Sequence, residues 1–214
     1  VAQPLLVFGV ILSASITIAA HYFNPPRRKL IYIFKPFATI LILLIALWPQ
    51  TFLQERYAGA VALGLLFSLA GDVWLMLPGE HFLAGLVSFL LAHLCYVVAF
   101  VTEDTPRGLY ESLIPLTIIA GLLLIYLRPG LPPNLKWPVV AYVAVIVAMT
   151  ALAISRAATF LTSNALLAAV GALFFMASDS VLAVERFRRP FYWAKAAVLS
   201  TYFLAQTLIA LSVS

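Results

Sequence analysis

Charge is what this chain has least of. Only 10% of its 214 residues are Asp, Glu, Lys or Arg, against about 25% in an ordinary soluble domain, so the chain cannot clothe a globular surface for water. It has one cysteine, Cys95, which excludes an intrachain disulfide and a multi-cysteine metal site. Its three histidines are split between the ends of apolar runs (His21, His81) and the middle of one (His93), a poor arrangement for a three-histidine zinc site. No metal and no cofactor are expected. Nothing reads as a strand. The net charge of +5 comes from 13 basic and 8 acidic residues scattered through short polar breaks. A dense basic stripe is missing, which argues against nucleic acid as a partner. The first apolar run has neither a basic leader nor a small-residue cleavage site, so it reads as a membrane span and not as a signal peptide.

What is present in excess is hydrophobicity: 64% apolar residues and a mean hydropathy of +1.06. The expectation is an all-α membrane protein, a single transmembrane domain over residues 1–214 with no room for a soluble one. Apolar runs delimited by proline, charge and turn residues predict eight transmembrane helices, at roughly 4–22, 30–48, 57–77, 82–101, 110–127, 137–155, 162–184 and 191–212. The breaks include Asn24-Pro25-Pro26, Trp48-Pro49, Leu77-Pro78-Gly79-Glu80, Glu103-Asp104-Thr105-Pro106, Arg128-Pro129-Gly130 and Arg189-Pro190. Trp48, Trp137 and Trp193 stand at span ends, as an interfacial belt requires.

Orientation follows from the basic residues. Arg27, Arg28, Lys29, Arg128, Lys136, Arg186, Arg188 and Arg189 fall after spans 1, 3, 5 and 7, whereas the other side holds Arg56, Arg107 and Arg156. By the positive-inside rule the first set is cytoplasmic and both termini are not. A bacterial inner membrane is the expected location.

Two carboxyls break the apolar pattern within the spans. Asp72 and Asp179 close similar phrases, Gly64-LLFSLA-Gly71-Asp72 and Gly171-ALFFMA-Ser178-Asp179. A carboxyl at membrane depth is costly unless it faces a partner or a polar cavity, so each marks a candidate functional site. Aligning the phrases pairs Gly64 with Gly171, Leu66 with Leu173, Phe67 with Phe174 and Ala70 with Ala177. Spans 3 and 7 are four apart, so the match suggests two parallel four-helix repeats. At 1.5 Å of rise per residue, Asp72, Asp179 and Lys35 should lie about 8 Å below one boundary, with His93 and Tyr202 deeper.

Helical spacing supplies neighbours. Ser68 and Asp72 are four apart, as are Tyr202 and Gln206, and His93 and Tyr96 are three apart, so each pair shares a face. Gathered in one pocket, these groups satisfy one another; scattered toward lipid, each carries its own desolvation cost. Structural readings stand beside the functional ones. Lys35-Pro36 fits a snorkelling lysine before a kink or a buried partner for an aspartate. Ser68 and Ser178 fit helix packing, and His93, Tyr96, Tyr202 and Gln206 fit interhelical hydrogen bonding.

Taken together, Lys35-Pro36, Ser68-x2-Gly71-Asp72, Phe82-x2-Gly85 with His93-x2-Tyr96, Gly171-x6-Ser178-Asp179 and Thr201-Tyr202-x3-Gln206 resemble the lysoplasmalogenase family, also called the YhhN family. The resemblance runs through spans 2 to 8, and Gly71-Asp72 to Tyr96 is its most specific part. It implies an integral membrane hydrolase that cleaves the vinyl ether of a lysoplasmalogen to a fatty aldehyde and a glycerophosphoethanolamine or glycerophosphocholine. Its substrate would be a lysophospholipid within the bilayer, among membrane lipids. The family's paired aspartates carry over to Asp72 and Asp179 as catalytic residues, with Lys35, Ser68, His93, Tyr96, Ser178, Tyr202 and Gln206 in binding or supporting roles. Vinyl ether hydrolysis asks for one neutral acid and one anion, and two carboxyls sharing an apolar site supply both. Phe174, Phe175 and Met176 favour Asp179 as the acid and Asp72 as the anion. The alternative is a proton- or cation-coupled transporter with a buried Asp/Lys/His relay. An intramembrane aspartyl protease is disfavoured by the order of the Asp phrases, Gly-Asp first and Ser-Asp second.

Overall fold

The computed structural model describes residues 2–48, 55–79, 81–102 and 107–213. It contains eight helices: α1 (Ala2–His21), α2 (Arg28–Ala46), α3 (Glu55–Met76), α4 (Phe82–Phe100), α5 (Leu109–Leu127), α6 (Lys136–Phe160), α7 (Ser163–Phe187) and α8 (Ala194–Leu211). No strand occurs among the described residues. All eight helices are long and apolar enough to cross a membrane, and the protein is an all-α integral membrane bundle. The helix ends match expectation to within a few residues. The largest difference is α6, which runs on to Phe160: Ser155 is buried, the Thr159 hydroxyl donates to the Ser155 carbonyl, and Arg156 interrupts hydrophobicity without interrupting the helix. The predicted breaks at Pro49, Glu80 and 103–106 lie outside the described residues.

Short connections between such long helices force alternation up and down. The tightest is two residues: Leu161, with φ of 51°, ends α6, and the Thr162 side chain accepts the Ala165 N–H at 3.3 Å to start α7, a standard N-cap. Helices α2, α3, α4, α6, α7 and α8 pack successively into a closed ring. Outside it, α1 lies against α2 and α8, and α5 lies against α6 and α7. Ile114, Ile118, Leu122 and Ile125 along α5 are more than half exposed, as a helix facing lipid should be. Trp137 and Trp193 are exposed at the span ends, where an aromatic belt belongs.

The aligned glycines of the matched phrases, Gly64 and Gly171, both sit at close helix contacts. A Cβ at Gly64 would sit 2.4 Å from the Tyr96 ring, and one at Gly171 would sit 2.9 Å from the Ala205 carbonyl oxygen. The two contacts differ in kind. A ring can rotate, whereas the α8 backbone can yield only by separating from α7. Gly171→Ala is therefore expected to cost about 1–3 kcal/mol and to lower the unfolding temperature in detergent, with Gly59→Ala, which meets nothing within 4 Å, as the unaffected control.

Candidate active site

Every helix of the ring sends at least one polar side chain to one end of its interior, the end bearing most of the basic residues. There they form two clusters. In the first, Asp72 of α3 is 1% exposed. Its Oδ1 pairs with Lys35 Nζ of α2 at 3.1 Å, and its Oδ2 accepts from Thr39 Oγ1 and from the Tyr202 hydroxyl of α8, both at 2.7 Å. An ammonium and two hydroxyl donors make this the environment of a carboxylate anion. Lys35 is buried, and Nζ also lies 3.5 Å from the Asp72 carbonyl. Of the two readings of Lys35, the snorkelling one is overturned, because the side chain turns inward to a carboxylate while α2 continues through Pro36.

In the second cluster, Asp179 of α7 accepts from the Tyr142 hydroxyl of α6 at 2.5 Å. His93 Nε2 of α4 lies 3.7 Å from the same Oδ2, without a hydrogen bond. Neither Lys nor Arg pairs with Asp179 among the described residues. Both contacts fall on Oδ2. Between the clusters stands the fully buried Phe175, whose ring lies edge-on to His93 at 4.6 Å and to Tyr202 at 5.6 Å.

Asp72 and Asp179 face one cavity of about 900 Å³. Lys35, Ser178 and Tyr202 also line it, and it extends to His21, Arg28 and the Lys195–Glu185 ion pair at the helix ends. Asp72 lies four residues from the end of α3, Lys35 seven from the start of α2 and Asp179 eight from the end of α7, which corresponds to about 6, 10 and 12 Å from the helix ends. The distances differ because α2 and α7 extend beyond their apolar runs through Arg28 and through Glu185-Arg186-Phe187. His93 and Tyr202 start from deeper or equal positions yet reach the carboxylates. Side chains lean toward the N-terminus of their helix, and α4 and α8 begin at the basic end whereas α3 and α7 finish there, so the rings lean up as the aspartates lean down.

Of the remaining expected residues, Tyr96, Gln206 and Ser68 do not line the cavity, whereas Ser178 does. The Tyr96 hydroxyl donates to Gln206 Oε1 at 2.7 Å, and both side chains are fully buried. Ser68 is also fully buried, and its hydroxyl has no hydrogen-bond partner. Ser178 donates to the Val198 carbonyl of α8 at 3.0 Å, a helix-packing bond. Sequence reasoning missed Thr39 and Tyr142. Thr39 was open to inference, four residues beyond Lys35 on the same face; Tyr142 stands in α6 with no polar neighbour in the chain to single it out. No cluster of three or more His, Cys, Asp or Glu is placed to hold a metal among the described residues.

Known proteins resemble this chain over most of its length. It matches the YhhN family over residues 30–213. It is 34% identical over 183 residues to lysoplasmalogenase TMEM86A from Bos taurus, covering 83% of this chain and 74% of that one. It is 37% identical over 163 residues to lysoplasmalogenase TMEM86B from Sus scrofa, covering 74% of this chain and 65% of that one. To the uncharacterized membrane protein YhhN from Shigella flexneri it is 29% identical over 201 residues, covering 94% of each. No solved structure matches. With nearly all of α2 through α8 matched, and with both aspartate phrases inside the matched residues, this chain belongs to the YhhN family.

Proposed function

We propose that the protein is a lysoplasmalogenase-like hydrolase that cleaves the vinyl ether of a lysophospholipid, with Asp179 as the acid and Asp72 as a fixed anion. The observation that carries this reading is the contrast between two carboxyls on one cavity: Asp72 is held by an ammonium and two hydroxyls, and Asp179 by a single hydroxyl. The relatives named lysoplasmalogenase supply the substrate class.

The reaction follows from the two environments. Asp179 transfers its proton to the alkenyl carbon remote from the ether oxygen, and the double bond becomes an oxocarbenium ion. Asp72 stabilises that cation through space, where preorganised charge in a water-poor site is most effective. Its oxygens are already occupied by three donors, so it acts by charge and not as a base. Water adds to the oxocarbenium carbon and yields a proton to the Asp179 carboxylate, which restores the acid. The hemiacetal then collapses: Asp179 protonates the departing glycerol oxygen and receives the hydroxyl proton, leaving aldehyde and alcohol. The sum is one water consumed. Tyr142 holds the Asp179 carboxyl in place, and Tyr202, Thr39 and Lys35 hold Asp72. Arg28 and the Lys195–Glu185 pair, which also line the cavity, are the partners this reading gives a zwitterionic head group. By the positive-inside rule their end of the cavity faces the cytoplasm.

The direct test incubates purified protein in detergent with lysoplasmenylethanolamine and, separately, with its saturated 1-O-alkyl analogue. Aldehyde is expected from the first alone. A folded protein that releases none from either would overturn the reading.

A further inference from the structure

Among the described residues, Asp179 is the carboxyl that lines both compartments. Besides the larger cavity it borders a small cleft between α4, α5, α6 and α7, walled by Leu86, Leu123, Val143, Ile146 and Met176. Leu75, Phe82, Phe89 and Leu182 are shared with the cavity as well. We infer that this cleft seats the hydrocarbon chain of the lipid, so that the ether bond comes to rest at Asp179 where the polar and apolar compartments meet. The inference rests on the proposed hydrolase reading and adds where, and how far, the chain is recognised.

Three observations carry it. The first is chemical: a single-chain phospholipid has one charged end and one apolar end, and the protein offers a cavity bearing Lys35, Arg28 and Lys195 that adjoins a cleft whose polar groups are Tyr142, Asp179 and Ser180. Ser180 is turned away, donating to the Met176 carbonyl at 2.7 Å. The second is access. Helix α5 packs chiefly on α6 and α7, and α4 and α5 meet only through the apolar cluster around Leu127 and Phe187, so the weak α4–α5 junction is the seam by which the chain would enter from the bilayer. The third is length. On α5 the cleft runs from Ala120 to Leu127 and on α6 from Val139 to Ile146, seven residues each and so about 10 Å. One leaflet of hydrocarbon is about 15 Å deep. The cleft therefore grips the carbons next to the ether, and the distal chain leaves through the seam into lipid. The site reads bulk close to the bond and is indifferent to the far end of the tail.

The test introduces tryptophan into the cleft by Val143→Trp and Leu123→Trp, with Leu122→Trp on the lipid-facing side of α5 as control. For a long-chain lysoplasmenyl lipid, kcat/KM should fall about tenfold or more in both cleft variants, mainly through KM. A lysolipid bearing only a propenyl ether should be cleaved by the variants at close to the wild-type rate, which also shows that they are folded. Wild-type turnover of the long chain by both variants, or equal loss for long and short chains in correctly folded protein, would overturn the inference. A binding arm separates this from the activity itself: the saturated 1-O-alkyl lysolipid should raise the unfolding temperature of wild type and of Leu122→Trp but not of the cleft variants. If wild type releases no aldehyde, the hydrolase reading falls, while an unchanged thermal shift in the cleft variants would refute the seat alone.

Discussion

Asp179→Asn is expected to lower kcat by about 10²–10⁴-fold, the usual contribution of a positioned general acid, with the fold intact. Asparagine keeps the shape, and its amide oxygen can still accept from Tyr142, so the hydrogen bond at this position survives. No Lys or Arg ion pair is broken, and the cavity stays open. What disappears is the proton for the alkenyl carbon. Aldehyde release and thermal unfolding measured on the same preparation separate the two effects. A variant with the wild-type rate would remove Asp179 from the chemistry. If protonation at carbon is the slow step, as the chemistry of vinyl ethers requires, wild type should also turn over more slowly in heavy water.

At Asp72 the effect on stability should be the larger one. Lys35→Met leaves a carboxylate buried with two hydroxyl donors and no cation, and Asp72→Asn leaves an ammonium buried without its anion. Breaking such a pair from one side costs about 3–5 kcal/mol, so each single variant should unfold at a visibly lower temperature. The double variant Lys35→Met/Asp72→Leu removes both charges and should recover most of that stability, since a buried pair replaced by apolar side chains is often neutral. Activity should not recover with it. Stable but inactive double variants would separate the electrostatic role of Asp72 from its structural one; a double variant that hydrolyses substrate as wild type does would refute the anion's part in the reaction. The same experiment weighs Lys35, whose position at 3.1 Å from Asp72 makes it a positioning residue for the anion.

Much of the architecture was legible because a bilayer restricts the choices so severely. Backbone polar groups in hydrocarbon must be satisfied within the segment, so apolar runs of about 20 residues predict helices and their breaks predict loops. That Gly64 and Gly171 allow a close helix approach follows from residue size, though not which helix each one meets. The candidate site was legible in part for the same reason: an Asp or a Lys inside such a run is costly without a partner or a polar cavity, which singles out Lys35, Asp72 and Asp179. Uncharged polar residues carry less of that signal. A tyrosine is at home in core, interface or site alike, and Tyr142 was accordingly overlooked, while Ser178 was included although its hydroxyl serves helix packing.

The amino-acid sequence by itself determined an all-helical membrane bundle of eight spans, the depth band of its intramembrane charges and their gathering at the basic end. Only the tertiary structure decided which group meets which. Lys35 chose Asp72 over Asp179, because α2 packs between α3 and α8 while α7 packs between α6 and α8. That same closure of the ring sorted two matched aspartates into unlike surroundings, one ringed by donors and one at the lip of an apolar cleft. The physical reason is that span length, charge and spacing are local properties of a helix, whereas the partner of a buried carboxyl is set by the order in which helices pack.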